Sequence, residues 1–164
     1  MEIKIYTDAS YRSLTNDGCY GYIILKDDLI QKQFCRTTYN IKINCLEFMA
    51  IKLALYDVYN EYLRECDEVD NIDLYTDSVN CIKYIENFYQ LKHPLLKEIK
   101  KEVDELLEII EKSYDIKVKF HHVPSHSPKT KHTKSELNNM IDKFVTTVSK
   151  YNRDLNRKIN NEKN

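Results

Sequence analysis

Tryptophan is absent from this chain of 164 residues, and glycine and proline are nearly so, at two and three. Chains use those last two residue types for tight turns and long irregular connections, so long structureless loops are not expected. Cysteine is present without a pattern. Cys19, Cys35, Cys45, Cys66 and Cys81 are odd in number, lie far apart and form no C-x-x-C. A disulfide framework or a structural zinc site needs closer, paired spacings, so reduced thiols are expected. No stretch approaches the roughly 20 apolar residues that span a bilayer. The start, Met-Glu-Ile-Lys-Ile-Tyr-Thr-Asp, has neither the basic opening nor the apolar run of a signal peptide. These absences predict a soluble, cytoplasmic chain with no membrane partner. The expected organisation is one domain at residues 1–150, without linker or repeat and large enough to bury a core unaided. A polar, basic and partly disordered tail is expected at residues 151–164.

The net charge of −1 hides an asymmetry. Residues 116–164 hold 11 Lys/Arg against 4 Asp/Glu, a net +7, and residues 1–115 hold 14 against 22, a net −8. A basic C-terminal third suits a polyanionic partner, although a solvated basic tail gives the same count.

Side chains alternate along Ile3–Thr7, Tyr20–Lys26 and Ile30–Arg36, with turn signals at Asn16-Asp17-Gly18 and Asp27-Asp28. Connections this short predict an antiparallel meander. From Asn44 the apolar spacing becomes helical (Leu46, Met49, Ala50, Leu53, Ala54) and is expected to run to about Cys66, with Asn44 as the cap. Asn71–Thr76 reads as a fourth strand and Ser78 opens a helix to about Phe88. Pro94 opens another helix, and Ile116–Val123 reads as a fifth strand. After a basic loop at Ser125–Lys134, Thr133 and Glu136 have capping-box spacing for a last helix lined by Leu137, Ile141, Phe144 and Val148. The fold class is therefore α/β: a five-stranded mixed sheet, strands 1–3 a meander, strands 4 and 5 parallel to strand 1, flanked by helices.

One short echo carries the chemistry. Tyr6-Thr7-Asp8-Ala9-Ser10 ends the first strand, and Tyr75-Thr76-Asp77-Ser78 ends the fourth. Ligands bind at the carboxyl ends of strands in open α/β sheets. If those strands are neighbours, Asp8 and Asp77 sit side by side and repel by about 4 kcal/mol at 4 Å and an effective dielectric of 20. A shared proton or cation relieves that repulsion, and carboxylate oxygens are the donors Mg²⁺ prefers. Taken alone, two strand-end aspartates are more often unrelated turn residues. Glu47, in the first turn of the first helix, and Asp142, beside Ile141 in the last, both border a buried face. The coincidence of all four is what counts.

The sequence resembles the ribonuclease H type 1 family from about Ile3 to Val148. The matching stretches are residues 6–10 and 21–25, then Asn-Cys-Leu-Glu-Phe-Met-Ala at 44–50 and Leu-Tyr-Thr-Asp-Ser at 74–78. His-Val-Pro-Ser-His-Ser at 122–127 and Asn-Asn-Met-Ile-Asp at 138–142 complete the set. The resemblance implies a ribonuclease H-like sheet and hydrolysis of the RNA strand of RNA–DNA hybrids, leaving 5′-phosphate and 3′-hydroxyl ends. It implies two Mg²⁺ ions (Mn²⁺ as a substitute) held by Asp8, Glu47, Asp77 and Asp142, with His126 helping to activate water or release product. For substrate contact it implies Asn44, with Ser10, Asn16, Ser78 and Asn80 as further candidates. Lys129, Lys131 and Lys134 are candidate phosphate contacts. A monomer is expected, with a replication or reverse-transcription partner supplying grip. The segment from Asn87 to Pro94 is too short for the basic, Trp-bearing protrusion many members use. Two other readings stand beside this one: a nuclease of the same fold with another nucleic-acid substrate, and a non-catalytic nucleic-acid-binding domain.

Overall fold

Period-two alternation carries the chain through β1 (Glu2–Arg12), β2 (Asp17–Lys26) and β3 (Leu29–Tyr39) of the computed structural model, which describes residues 1–65, 68–124 and 133–162. The turns among them manage without glycine. Asn16, Asp27, Asp28 and Asn40 all have positive φ, a conformation Asn and Asp reach more cheaply than other side chains because their short polar groups bond locally.

Beyond the meander come α1 (Ile43–Val58), β4 (Asn71–Thr76), α2 (Val79–Ile85), α3 (Pro94–Tyr114), β5 (Lys119–His122) and α4 (Thr133–Glu162). The sheet order is β3-β2-β1-β4-β5; β1, β2 and β3 are antiparallel, and β4 is parallel to both β1 and β5. One sheet face, with Ile3, Ile5, Tyr22, Ile24, Ile72 and Leu74, buries against Phe48, Ile51 and Leu55 of α1 and Ile99 and Val103 of α3. The other, with Tyr6, Ile23, Leu25 and Tyr75, buries against Ile141 and Val145 of α4.

Several elements depart from the sequence reading. Asn44 does not cap α1. The N–H groups of Cys45 and Leu46 both reach the Lys42 carbonyl, so the helix starts at Lys42 and Asn44 lies inside its first turn. At its far end α1 gives way to a π-helical turn at Tyr59–Leu63. There the Asn60 side chain donates to the Tyr56 carbonyl, competing for the acceptor its own backbone N–H would use. β5 is shorter than expected because only Lys119–His122 finds register with β4. Residues after Lys150, expected to fray, continue as helix to Glu162. Arg153 pairs with buried Asp17 at 3.2 Å and Asn152 donates to the Tyr39 hydroxyl at 2.9 Å. Nor are all thiols reduced: Cys19 and Cys35 are joined in a disulfide, while Cys45 and Cys81 are free and buried. Strand register brings that pair together, since Cys19 faces Thr37 and Cys35 faces Gly21.

Each of the two glycines is a close approach. A Cβ on Gly21 would lie 2.5 Å from the Phe34 carbonyl oxygen and 3.2 Å from Val145, whereas on Gly18 its nearest neighbour is the movable Leu46 side chain. Backbone cannot yield as a side chain can. Gly21→Ala is therefore expected to cost about 2–3 kcal/mol in urea unfolding, and Gly18→Ala clearly less. Equal costs would mean the β2–β3 spacing is softer than drawn.

Candidate active site

The repeated Tyr-Thr-Asp triplets lie side by side. Parallel pairing sets Tyr6 against Tyr75 and Thr7 against Thr76, so Asp77, the residue just past the end of β4, falls level with Asp8. Asp8 does not end its strand as the sequence suggested, because β1 runs on to Arg12 in register with β2. The Tyr6 and Tyr75 rings stack with centroids 4.7 Å apart, fixing that register from the α4 side. Ser78 then caps α2, its hydroxyl accepting from the Cys81 N–H at 3.4 Å while its own N–H donates to Thr76 Oγ1 at 3.1 Å. The chain turns away immediately after Asp77.

Glu47 arrives from the opposite face, on α1; it is the fifth residue of that helix, one position past the first turn in which the sequence reading placed it. One oxygen from each of Asp8, Glu47 and Asp77 lies within 4.8 Å of the others. Asp8 is 5% exposed and Glu47 6%. Burial, then the charges of Asp77 and Asp142, push the Asp8 carboxyl up to about 8, opposed by the Ala9 N–H that donates to it at 2.9 Å. Burial, then Asp8 and Asp77, hold Glu47 well above the ordinary glutamate range. Asp142 lies outside the close trio. It is exposed on α4, and close enough to Asp8 for its charge to help raise that carboxyl.

Three ionised carboxylates at this spacing would repel by about 3.5 kcal/mol per pair at an effective dielectric of 20. Protons relieve the repulsion at low pH; at neutral pH a divalent cation does so better. The donors are all carboxylate oxygens, the set hard cations such as Mg²⁺ and Mn²⁺ take. A second observation makes the same point. Glu47 Oε2 is buried with no hydrogen-bond partner, and an oxygen so placed is costly unless something else coordinates it. The residues present fit a metal.

The other sequence candidates fall into groups. Asn44 is half-buried, one helical turn before Glu47 on the same side of α1. Asn16 is exposed in the β1–β2 turn, its side-chain oxygen accepting from Tyr11 OH at 2.8 Å. Ser10 is half-buried on β1, two residues beyond Asp8, and Asn80 is exposed on α2. His126, Lys129 and Lys131 lie outside the described residues, as do the side chains of Lys134 and of the Thr133–Glu136 capping box. Sequence reasoning passed over Tyr11 and Lys42. The Lys42 ammonium lies 5.4 Å from the centre of the Tyr11 ring, and the two flank Asn16 at the end of the sheet that carries the acids. Alternation could have found Tyr11, because it continues the row of Thr7 and Ala9.

Comparison with known proteins agrees with this layout. The ribonuclease H family model matches residues 1–150. No curated protein matches the chain. Among solved structures, LC11-RNase H1, isolated from compost, is 20% identical over 92% of this chain and 96% of its own, with a TM-score of 0.69. The RNase H1 of the halophilic archaeon Halobacterium salinarum is 22% identical, covering 76% and 86%, with a TM-score of 0.61. LC11-RNase H1 in complex with an RNA/DNA hybrid gives 22% identity, 86% and 97% coverage, and a TM-score of 0.62. At such identities the solved structures speak for the fold.

Proposed function

The chain belongs to the ribonuclease H family, and from that premise we propose that it cuts the RNA strand of RNA–DNA hybrids endonucleolytically, leaving 5′-phosphate and 3′-hydroxyl ends. One observation carries the reading. Three carboxylates from distant parts of the chain meet at the end of the sheet, and one of their buried oxygens has no partner. That a structural relative has been solved with an RNA/DNA hybrid bound supports the choice of substrate.

Asp8, Glu47 and Asp77 would hold the metal, with Asp142 joining from α4 through its contact with Asp8. Two divalent ions held there, Mg²⁺ or Mn²⁺, would supply the chemistry of water activation and of charge stabilisation on the leaving 3′ oxygen. The protein's own part is placement. Thr7 and Thr76 are fully buried, which anchors the backbone just before Asp8, within β1, and Asp77, just past β4. Burial of Asp8 and Glu47 keeps bulk water from screening their charge. Asn44, one turn before Glu47, and Asn16, whose side-chain oxygen accepts from Tyr11, would accept from or donate to the 2′-hydroxyls that distinguish RNA from DNA. The family pattern assigns His126 to helping activate water or release product.

A labelled-substrate panel tests the proposal: hybrid, duplex DNA, duplex RNA and single strands, each with Mg²⁺ and with chelator. Only the RNA strand of the hybrid should be cut, only with the divalent ion present, and the fragments should carry 3′ ends that a polymerase extends. Equal cleavage of duplex DNA would transfer the chain to another nuclease class. Binding without cleavage under every metal condition would make it a binding domain.

A further inference from the structure

α2 runs from the acid cluster to a second feature. Asp77 lies just before the helix, and seven residues of helix, roughly 10 Å, lead to a closed C-terminal cap. The Asn87 N–H donates to the Tyr84 carbonyl at 3.2 Å and the Phe88 N–H to the Lys83 carbonyl at 2.9 Å, with Asn87 at φ 60°. This double bond pattern around a left-handed residue is a Schellman cap, and it fixes the backbone. Phe88 therefore projects from a rigid corner while remaining 72% exposed. Tyr89, 45% exposed, is braced beside it. Its ring meets Tyr84 edge-on at 5.6 Å, and the Lys83 ammonium sits 5.2 Å from its centre and donates to its hydroxyl at 3.1 Å. Asn87, Tyr89, Gln90, Leu91, Lys97 and Lys100 line an open cleft of about 510 Å³ at this corner.

The charge here runs against its surroundings. Residues 1–115 carry a net −8, yet residues 83–97 hold Lys83, Lys92 and Lys97 against Glu86 alone, while Lys100 and Lys101 beyond them pair with Asp104 and Glu105. Lysines interleaved with fixed, exposed aromatic rings match a polyanion whose units present flat apolar faces, a nucleic-acid strand. Inside a duplex each base is covered above and below by its neighbours, and a blunt end offers an exposed ring only one open face, that of a paired and constrained base. An unpaired base has open faces.

We propose that the Phe88–Tyr89 corner, with Lys83 and Lys97, binds an unpaired single-stranded extension of the hybrid, stacking a base on the exposed rings while the lysines meet its phosphates. The proposal rests on the hybrid-nuclease reading for the position of the duplex, and it names the substrate subclass: hybrids that end in, or continue into, single strand. A strand held one helix length from Asp77 would register the scissile bond relative to the duplex end.

The test is fluorescence-anisotropy binding in chelator, with a blunt hybrid and the same hybrid bearing a short DNA extension on either end. For the wild-type protein one extension should tighten binding about tenfold, as expected for a stacked base with phosphate contacts. Phe88→Ala should abolish that gain and leave the blunt hybrid unaffected, Phe88→Tyr should retain it, and Lys97→Ala should reduce it and its salt dependence. Phe88 is exposed, so its loss should not unfold the chain, and an unchanged thermal midpoint checks this. Two results would overturn the proposal: no gain from either extension, or a Phe88→Ala loss equal on blunt and extended hybrids. The readout needs no catalysis. An extension that tightens binding of a protein that cuts no hybrid would support this inference and sink the cleavage reading.

Discussion

Asp77→Asn should lower hybrid cleavage by at least about a thousandfold, as should Asp8→Asn, while hybrid binding in chelator changes little. The amide keeps the size and shape of the carboxylate but loses its charge. A thousandfold corresponds to about 4 kcal/mol of transition-state stabilisation, within the several kcal/mol that a bound metal supplies. Both residues belong to the trio whose oxygens lie within 4.8 Å of one another, so each loss should disable the site. Asp142 differs in kind. It is exposed, stands outside the trio and lies near enough to Asp8 to raise its carboxyl. Asp142→Asn should therefore cost less than the other two, and raised Mn²⁺ should restore more of its activity. Single-turnover cleavage across a metal titration measures all three. Near-normal rates in Asp8→Asn or Asp77→Asn would remove the mechanism; a loss at Asp142 as deep as theirs would place it in the trio.

How much of this site could be read from the chain depends on how local each signal was. The Tyr-Thr-Asp repeat was legible because parallel strands at equal positions align equal residues, and the observed pairing of Tyr6 with Tyr75 is that alignment. Glu47 was legible because an acid near the start of a helix and beside core Leu46 has few other places to point, although it lies past the first turn the spacing suggested. Long-range pairing was not. Cys19 and Cys35 meet only because β2 and β3 fold back in one register, which residue spacing does not encode. The last turns of α4 looked frayed because the apolar stripe weakens after Val148. What holds them is polar: Arg153 on Asp17, with Asn152 and Asn156 on the Tyr39 hydroxyl. The missing protrusion was legible as a short segment, but the corner built in its place was not, because a Schellman cap that fixes an exposed phenylalanine is a backbone event.

The same crowding that suits the acids to a metal should make the metal-free protein weaken as pH rises. In the fold the Asp8 carboxyl titrates at about 8, against about 3.8 for an unhindered one, and Glu47 is displaced in the same direction, both chiefly by burial. A group whose folded pKa is raised holds its proton more tightly in the native state than in the unfolded one. Its contribution is complete below the unfolded value, near pH 4, and is lost as pH climbs through the folded value. Between pH 5.5 and 7.5 the unfolded chain has released these protons and the fold still pays to keep or lose them. The slope is about 1.4 kcal/mol per pH unit for each such group, so Asp8 alone removes on the order of 3 kcal/mol over that window. For a chain of this length that corresponds to roughly 10 °C in thermal midpoint. Chelated protein should therefore melt lower at pH 7.5 than at pH 5.5, and Mg²⁺ should restore most of the difference, because a ligand that binds only the ionised native cluster stabilises it by mass action. Asp8→Asn should melt higher than wild type at pH 7.5 in chelator, lose the Asp8 share of the pH slope while Glu47, raised chiefly by its own burial, keeps the rest, and respond weakly to Mg²⁺, while being inactive. A midpoint that rises with pH in chelator, or an Asp8→Asn protein less stable than wild type there, would mean these carboxylates are satisfied by the fold itself. The destabilised cluster would then have no need of a cation, and stability and catalysis would cease to oppose each other at this site.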